Sequence, residues 1–405
     1  MGFGIRRRLL RRVDRFLFDH EPVWLRGLRM FLAPPQYPGA RLTRKRLLNC
    51  YRSRWEMRYQ TTRVRSLPLK LTVEPINTCN LGCPACFTGD GQVSRPRKTM
   101  PLDLYRRLLD EMGDCLFQVE FCNWGEPLLN KQIGTMIREA TDRGIGTVAN
   151  TNFSFPFDDA RAEELVTSGL TILGVSIDGA RQETYEQYRV GGDLATVLDN
   201  CRKVRDAKRR LGAQTPQMIW AFHIFPHNVF DVEPAKAMAR ELEMGISMEK
   251  GWLVGEEWER DGFFHFKDEI RPFPCLFLWN QTVVNSDGGV APCCGTFYRE
   301  DDMGQLALAP GTPGATTFRE VWNGERFRQA REMYHSRASS AAKDHVCYDC
   351  PATIIWERWR AHEATGGDLE SFDPGFTPND NFNYFWNRRP PGAAPPRRRV
   401  TMGTR

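Results

Sequence analysis

The sequence has no apolar run approaching the length needed to cross a bilayer. It also lacks the continuous apolar stretch of a signal peptide, because Leu9 and Leu10 are followed at once by Arg11, Arg12, Asp14 and Arg15. Zinc-finger spacing and other nucleic-acid motifs are missing from both basic ends, so no nucleic-acid partner is expected. Cytoplasmic residence is the expectation, and a reducing compartment discourages structural disulfides. Twelve cysteines in 405 residues therefore need another explanation, and clustered cysteines read first as metal ligands.

What is present fits a soluble globular chain, 41% hydrophobic and 26% charged, long enough for two domains plus extensions. The net charge of +6 is unevenly spread, with residues 1–66 forming a basic, helical extension. Near its start Ile5, Leu9, Leu10, Val13, Phe16 and Leu17 fall on one side of a helical wheel. Arg7, Arg8, Arg11, Arg12 and Arg15 fall on the other, with Arg6 inside the apolar arc. Such a helix can lie on an anionic membrane as a peripheral contact, dock on a partner, or pack on the protein's own body. Residues 356–405 form a C-terminal extension whose end, from Pro390, is rich in Pro, Gly and Arg and reads as a disordered tail.

Between these ends, strand-like and helix-like runs alternate. Strands are expected at 69–74, 117–122, 146–150, 171–177, 217–225 and 247–250. Helices are expected at 102–112, 133–143, 160–166, 194–211 and 232–242, with Gly113, Gly144, Gly169 and Gly212 at their C-terminal ends. Strict alternation implies an α/β fold with a parallel sheet covered by helices, curling towards a barrel through right-handed crossovers. In that architecture the active site lies at the C-terminal ends of the strands. The motifs below fall there.

After the first strand, Cys79, Cys83 and Cys86 stand in C-x3-C-x2-C spacing on one loop. Three thiolates can take three irons of a cubane and leave the fourth open, as catalysis at a metal requires. A zinc knuckle with a distant fourth ligand is the alternative reading. This segment, with motifs that follow in order as far as about Pro351, resembles the radical S-adenosylmethionine (SAM) superfamily. The resemblance implies a partial (β/α)6 barrel over residues 67–265. It also implies a [4Fe–4S] cluster that binds SAM and cleaves it to a 5′-deoxyadenosyl radical, drawing on a reductant such as flavodoxin or ferredoxin. The aromatic residue usually found before the third cysteine is displaced here, with Ala85 at that place and Phe87 after it.

Three further segments carry the same resemblance. Asn123-Trp124-Gly125-Glu126-Pro127 is similar to the family's SAM-amine motif, with Glu126 as acceptor of the ammonium. Asn150-Thr151-Asn152 resembles a pair facing the cofactor, which puts Asn152 at SAM. Ser176-Ile177-Asp178-Gly179 followed by Tyr188-Arg189 is similar to the ribose- and carboxylate-contacting segment. Ser176 and Arg189 are assigned to SAM on that ground, Arg189 through a charge-assisted bond to carboxylate. For Asp178, capping the next helix and contacting a ligand are equally weighted.

A second constellation spans residues 266–355. Cys275 precedes two apolar arms joined by Asn285-Ser286-Asp287-Gly288-Gly289, a hairpin signal that can bring Cys275 towards Cys293. Cys347 and Cys350 offer two more thiolates. Four cysteines suit structural zinc or a fully ligated cluster. The layout resembles the SPASM and twitch domains of radical SAM enzymes, which favours one auxiliary [4Fe–4S] cluster, because no cysteine follows Cys350.

The resemblance implies an enzyme acting on a small-molecule substrate, sugar-like or a secondary metabolite, by epimerisation or dehydrogenation. Peptide maturation is the alternative, and a non-catalytic iron–sulfur or zinc protein is a remote third. Cys294, beside a ligand, is either a thiol hydrogen donor to the substrate radical or an accessory to the cluster.

Overall fold

The computed structural model describes residues 33, 35–251, 272–309, 311–315, 317–369, 371–376 and 378–388. The amphipathic stretch at residues 5–17 and the tail from Pro390 lie outside them. The first described helix, α1 (Arg44–Arg58), starts at Thr43, whose hydroxyl accepts from the Arg46 amide at 3.2 Å. Among the described residues nine strands form one sheet.

Six of these strands are parallel, each beside the next in chain order: β1 (Lys70–Val73), β2 (Gln118–Phe121), β3 (Gly146–Thr151), β4 (Ile172–Ser176), β5 (Gln217–Ile224) and β6 (Gly245–Lys250). The crossovers carry α2 (Leu102–Met112), α3 (Ile133–Asp142), α4 (Asp159–Thr167), α5 (Gln182–Tyr188), α6 (Leu194–Leu211) and α7 (Val232–Glu241). The alternation read from the sequence is this β–α register. Gly144, Gly169 and Gly212 adopt the left-handed conformation at helix ends, whereas Gly113 stays right-handed at φ −57°.

Period-two patterning sorts the strand side chains. On β5, Met218, Trp220, Phe222 and Ile224 are buried towards the helices, while Ile219, Ala221 and His223 are half-buried on the concave face. The same face of β1, β2 and β3 carries Lys70, Glu120 and Asn150.

Beyond β6 come β7 (Gln281–Val284) and β8 (Gly289–Ala291), the expected antiparallel hairpin, and then β9 (Gly304–Gln305). Gly288 supplies the turn's positive φ of 84°. The sequence gives no hint that β7 also pairs in parallel with β1, Lys70 opposite Gln281, so the hairpin continues the barrel's sheet. Four helices follow: α8 (Phe318–Trp322), α9 (Glu325–Ser336), α10 (Pro351–Ala364) and α11 (Pro378–Asn387). A buried Arg95 ties the hairpin to the segment after the first cysteine loop, pairing with Asp287 at 3.0 Å and Asp302 at 2.8 Å.

Candidate active site between two cysteine loops

The loop from Pro75 to Phe87 leaves the C-terminal end of β1 and packs Cys79, Cys83 and Cys86 with Leu81, Tyr188 and Phe225. Burial, then the neighbouring Cys83, pushes the Cys86 thiol up to about 12; Cys79 contributes to the same rise. Burial likewise moves the Cys79 thiol to about 11. Three thiols this close and this reluctant to ionise alone suit a metal centre, which binds them as thiolates. The loop is held from both sides: the Gly82 amide donates to Val190 O at 2.9 Å, and Asn152 Nδ2 reaches Cys79 Sγ at 3.5 Å.

The turn after β2 lies directly on this loop. A Cβ on Gly125 would stand 1.7 Å from Ile76 O, so only glycine fits. Glu126, 2% exposed, accepts from Thr151 Oγ1 and the Asn152 amide, both at 2.7 Å, and from the Leu128 amide at 3.1 Å. Burial still raises its carboxyl to about 7. A carboxylate offers about four lone-pair sites, so room remains for one more donor such as an ammonium. Asn152 spends its side chain on Cys79 and on Asn80 Oδ1, at 3.0 Å.

Asp178 caps no helix: the residue preceding α5 is Arg181. Instead Asp178, with no exposed side-chain surface, accepts from the His223 amide at 2.7 Å, His223 Nδ1 at 3.0 Å and Arg189 Nε at 2.6 Å. Burial alone would raise its pKa, but the charges of Arg189 and His223 and these bonds hold it at about 2. Arg189 is thus a buried ion-pair member whose Nη1 also stands 3.8 Å from Cys83 Sγ. Ser176 is half-buried at the end of β4, beside Ala221 of β5. Asn152 and Arg189 thus reach the first cysteine loop, Glu126 reaches it through the Asn152 amide, and Ser176 stands at the end of β4.

On the far side, burial and then the surrounding Cys294, Cys350, Cys275 and Cys347 push the Cys293 thiol well up. Cys350 rises to about 12 through burial and Cys275. The four expected auxiliary ligands are mutual neighbours. Four neighbouring thiols suit a closed site, one thiolate to each iron of a cubane.

A cavity of about 350 Å³ opens between the two cysteine loops, lined by Ala85 and Phe87 of the first and by Cys275, Cys293 and Cys350 of the second. Trp124, Phe277 and Phe385 complete an apolar wall, and Cys294 is exposed into it. Beside the Cys294 thiol lie Glu120 and Lys70, an ion pair of 2.5 Å on the concave face of the sheet. Asn150 adds a 3.1 Å bond to Glu120, and Cys122 is a further neighbour.

Several of these groups escaped sequence reasoning. Lys70 and Glu120 are charged residues at inward positions of short strands, a signal the alternation does contain. Phe87 joins an aromatic cluster, with ring centroids 4.9 Å from Phe297, 4.7 Å from Trp386 and 5.0 Å from Trp124. Nothing in the sequence indicates that Phe385 and Trp386, from α11, would wall this cavity.

Both groups of cysteines fall within segments that match known family models. Residues 73–223 match the model of the radical SAM superfamily, and residues 275–351 match that of an iron–sulfur cluster-binding domain, SPASM. The chain is 26% identical over 338 residues to an AdoMet-dependent heme synthase of Methanosarcina barkeri, covering 72% of this chain and 91% of that one. It is 27% identical over 349 residues to a PqqA peptide cyclase of Rhodopseudomonas palustris, covering 76% and 86%. Among solved structures, SuiB of Streptococcus suis bound to S-adenosylmethionine aligns with a TM-score of 0.49 at 13% identity, covering 73% of this chain and 75% of that one.

Proposed function

Since the chain belongs to the radical SAM superfamily and carries a SPASM domain, it is an enzyme that uses SAM and iron–sulfur clusters, and we propose that it abstracts hydrogen from a small molecule held between its two cysteine loops. Cys79, Cys83 and Cys86 would hold the SAM-binding [4Fe–4S] cluster. Cys275, Cys293, Cys347 and Cys350 would hold one auxiliary cluster. The clusters supply electron transfer, which side chains alone do not provide.

The observation that carries this reading is the cavity. Of its volume of about 350 Å³, the end lined by Cys275, Cys293 and Cys350 is where the auxiliary cluster would sit, and the remainder reaches Ala85, Phe87 and Trp124 beside the first cysteine loop. Phe87, Trp124, Phe277 and Phe385 exclude water from it. Glu126 is the acceptor for the SAM ammonium; Asn152 and Arg189 stand at Cys79 and Cys83 of the first cysteine loop, outside the cavity lining. Cys294 is the hydrogen donor for a redox-neutral outcome: its S–H bond breaks, a C–H bond forms on the substrate radical, and an electron and a proton restore the thiol. Loss of an electron and a proton from that radical instead gives the dehydrogenated product.

Peptide modification is the second reading, favoured by the match to a PqqA peptide cyclase across 76% of the chain. The test is anaerobic reconstitution followed by SAM and dithionite with candidate substrates. Formation of 5′-deoxyadenosine that rises with an amino sugar or other small metabolite supports the proposal. A rise only with peptides overturns it in favour of the second reading.

A further inference from the structure

Helix α1 buries four polar residues, Arg46, Asn49, Ser53 and Glu56, with Cys50, and leaves three large apolar ones, Leu48, Trp55 and Tyr59, exposed. Arg46, 2% exposed, donates to the carbonyls of Arg41, Gly113, Arg143 and Gly144 at 2.6–3.1 Å. Those of Gly113 and Arg143 are the C-terminal ends of α2 and α3, where a guanidinium is favoured. Asn49 exchanges two bonds with the backbone of Leu67, Ser53 donates to Trp279 O, and Glu56 accepts from the amides of Arg65 and Ser66. The helix is thereby fixed across the N-terminal ends of the strands, opposite the cysteine loops.

The outward face is therefore not needed for folding. It carries Leu48, 65% exposed, Trp55, 57%, and Tyr59, 54%. The two rings pack at 4.5 Å between centroids, and at 100° per residue the three side chains fall within one narrow arc. Arg44 and Arg58 border that arc on one side, Arg52 on the other, all exposed and without an ion pair among the described residues. Lys45, by contrast, is paired with Asp114 at 2.6 Å. The one carboxylate of the helix, Glu56, points inward.

We propose that this face of α1 docks on an anionic lipid bilayer. A ridge of Leu, Trp and Tyr edged by arginines has the composition of an interfacial helix, with amphipathic rings at headgroup depth and cations at lipid phosphates. The uncompensated positive charge selects an anionic surface over a neutral one. Docking there leaves the cysteine loops facing away from the membrane, open to substrate and reductant.

The test is co-sedimentation of the full chain with vesicles of phosphatidylcholine, with and without phosphatidylglycerol. Binding only to the anionic vesicles, weakened by salt, is expected. Trp55→Ser with Tyr59→Ser should abolish it, and each of Arg44→Gln, Arg52→Gln and Arg58→Gln should lower partitioning about fivefold. Unchanged iron content after reconstitution verifies that the variants fold. Wild-type binding retained in the α1 variants would assign it to residues 1–32 and overturn the proposal. Absence of vesicle binding, with a dimer that Trp55→Ser dissociates, would overturn it in favour of a protein interface.

Discussion

Arg189 Nε stands 2.6 Å from the fully buried carboxylate of Asp178, and Nη1 of the same guanidinium stands 3.8 Å from the Cys83 sulfur. A negative charge set by β4 and β5 thus positions a positive one at a cysteine of the catalytic loop. The pair is buried, so removing one partner strands the other in a poorly solvated place.

Asp178→Asn should therefore cost about 3–5 kcal/mol of stability at neutral pH, measured by urea unfolding. The pH dependence follows from the carboxyl's low value. Its pKa falls from an ordinary 3.8 to about 2 on folding, so the stability it contributes is present above pH 4. That contribution, about 2 kcal/mol, is lost as pH falls towards 2. The difference between wild type and Asp178→Asn should shrink over that interval; a constant difference would mean that Asp178 is not ionised in the native state.

Glu126 has the opposite sign. Burial raises its carboxyl to about 7, so it is largely protonated at pH 6 and largely ionised at pH 8. A SAM ammonium binds the ionised form better, so affinity should rise with pH through 7 and fall again as the ammonium itself deprotonates at about pH 8. Calorimetric titration of the reconstituted protein with SAM measures this, and Glu126→Gln should flatten the rise while weakening binding.

Gly125→Ala should displace the cysteine loop, because the new methyl group would stand 1.7 Å from Ile76 O. The expected cost exceeds about 3 kcal/mol, or the loop moves and iron is lost from the first site. Iron content and thermal unfolding distinguish the two outcomes.

The wild-type protein should bind about eight irons after anaerobic reconstitution, and the triple variant Cys79→Ala, Cys83→Ala, Cys86→Ala about four, with SAM cleavage abolished. Cys294→Ala should keep all the iron and the cleavage, but abolish incorporation of solvent deuterium into an epimerised product. Loss of auxiliary iron in that variant would make Cys294 a ligand instead.

The sequence by itself determined the β–α alternation and the three cysteines on one loop, because these depend on spacing along the chain. It also located Glu126 in the turn after β2 and Ser176 at the end of β4, since a strand's end is a local property. Tertiary structure alone decided which partners those residues meet. The place of Asp178 before a helix leaves capping and ligand contact equally open; the pairing of β4 with β5 brings His223 to it, and the loop after α5 brings Arg189. The parallel pairing of β7 with β1 joins residues more than two hundred positions apart, and no local pattern encodes such a partner. The same holds for Phe385 and Trp386, which wall the cavity only because α11 folds back over it. In α1 the tertiary structure decided which side faces inward, because the carbonyls and amides at the N-terminal ends of the strands give Arg46, Asn49, Ser53 and Glu56 their hydrogen-bond partners.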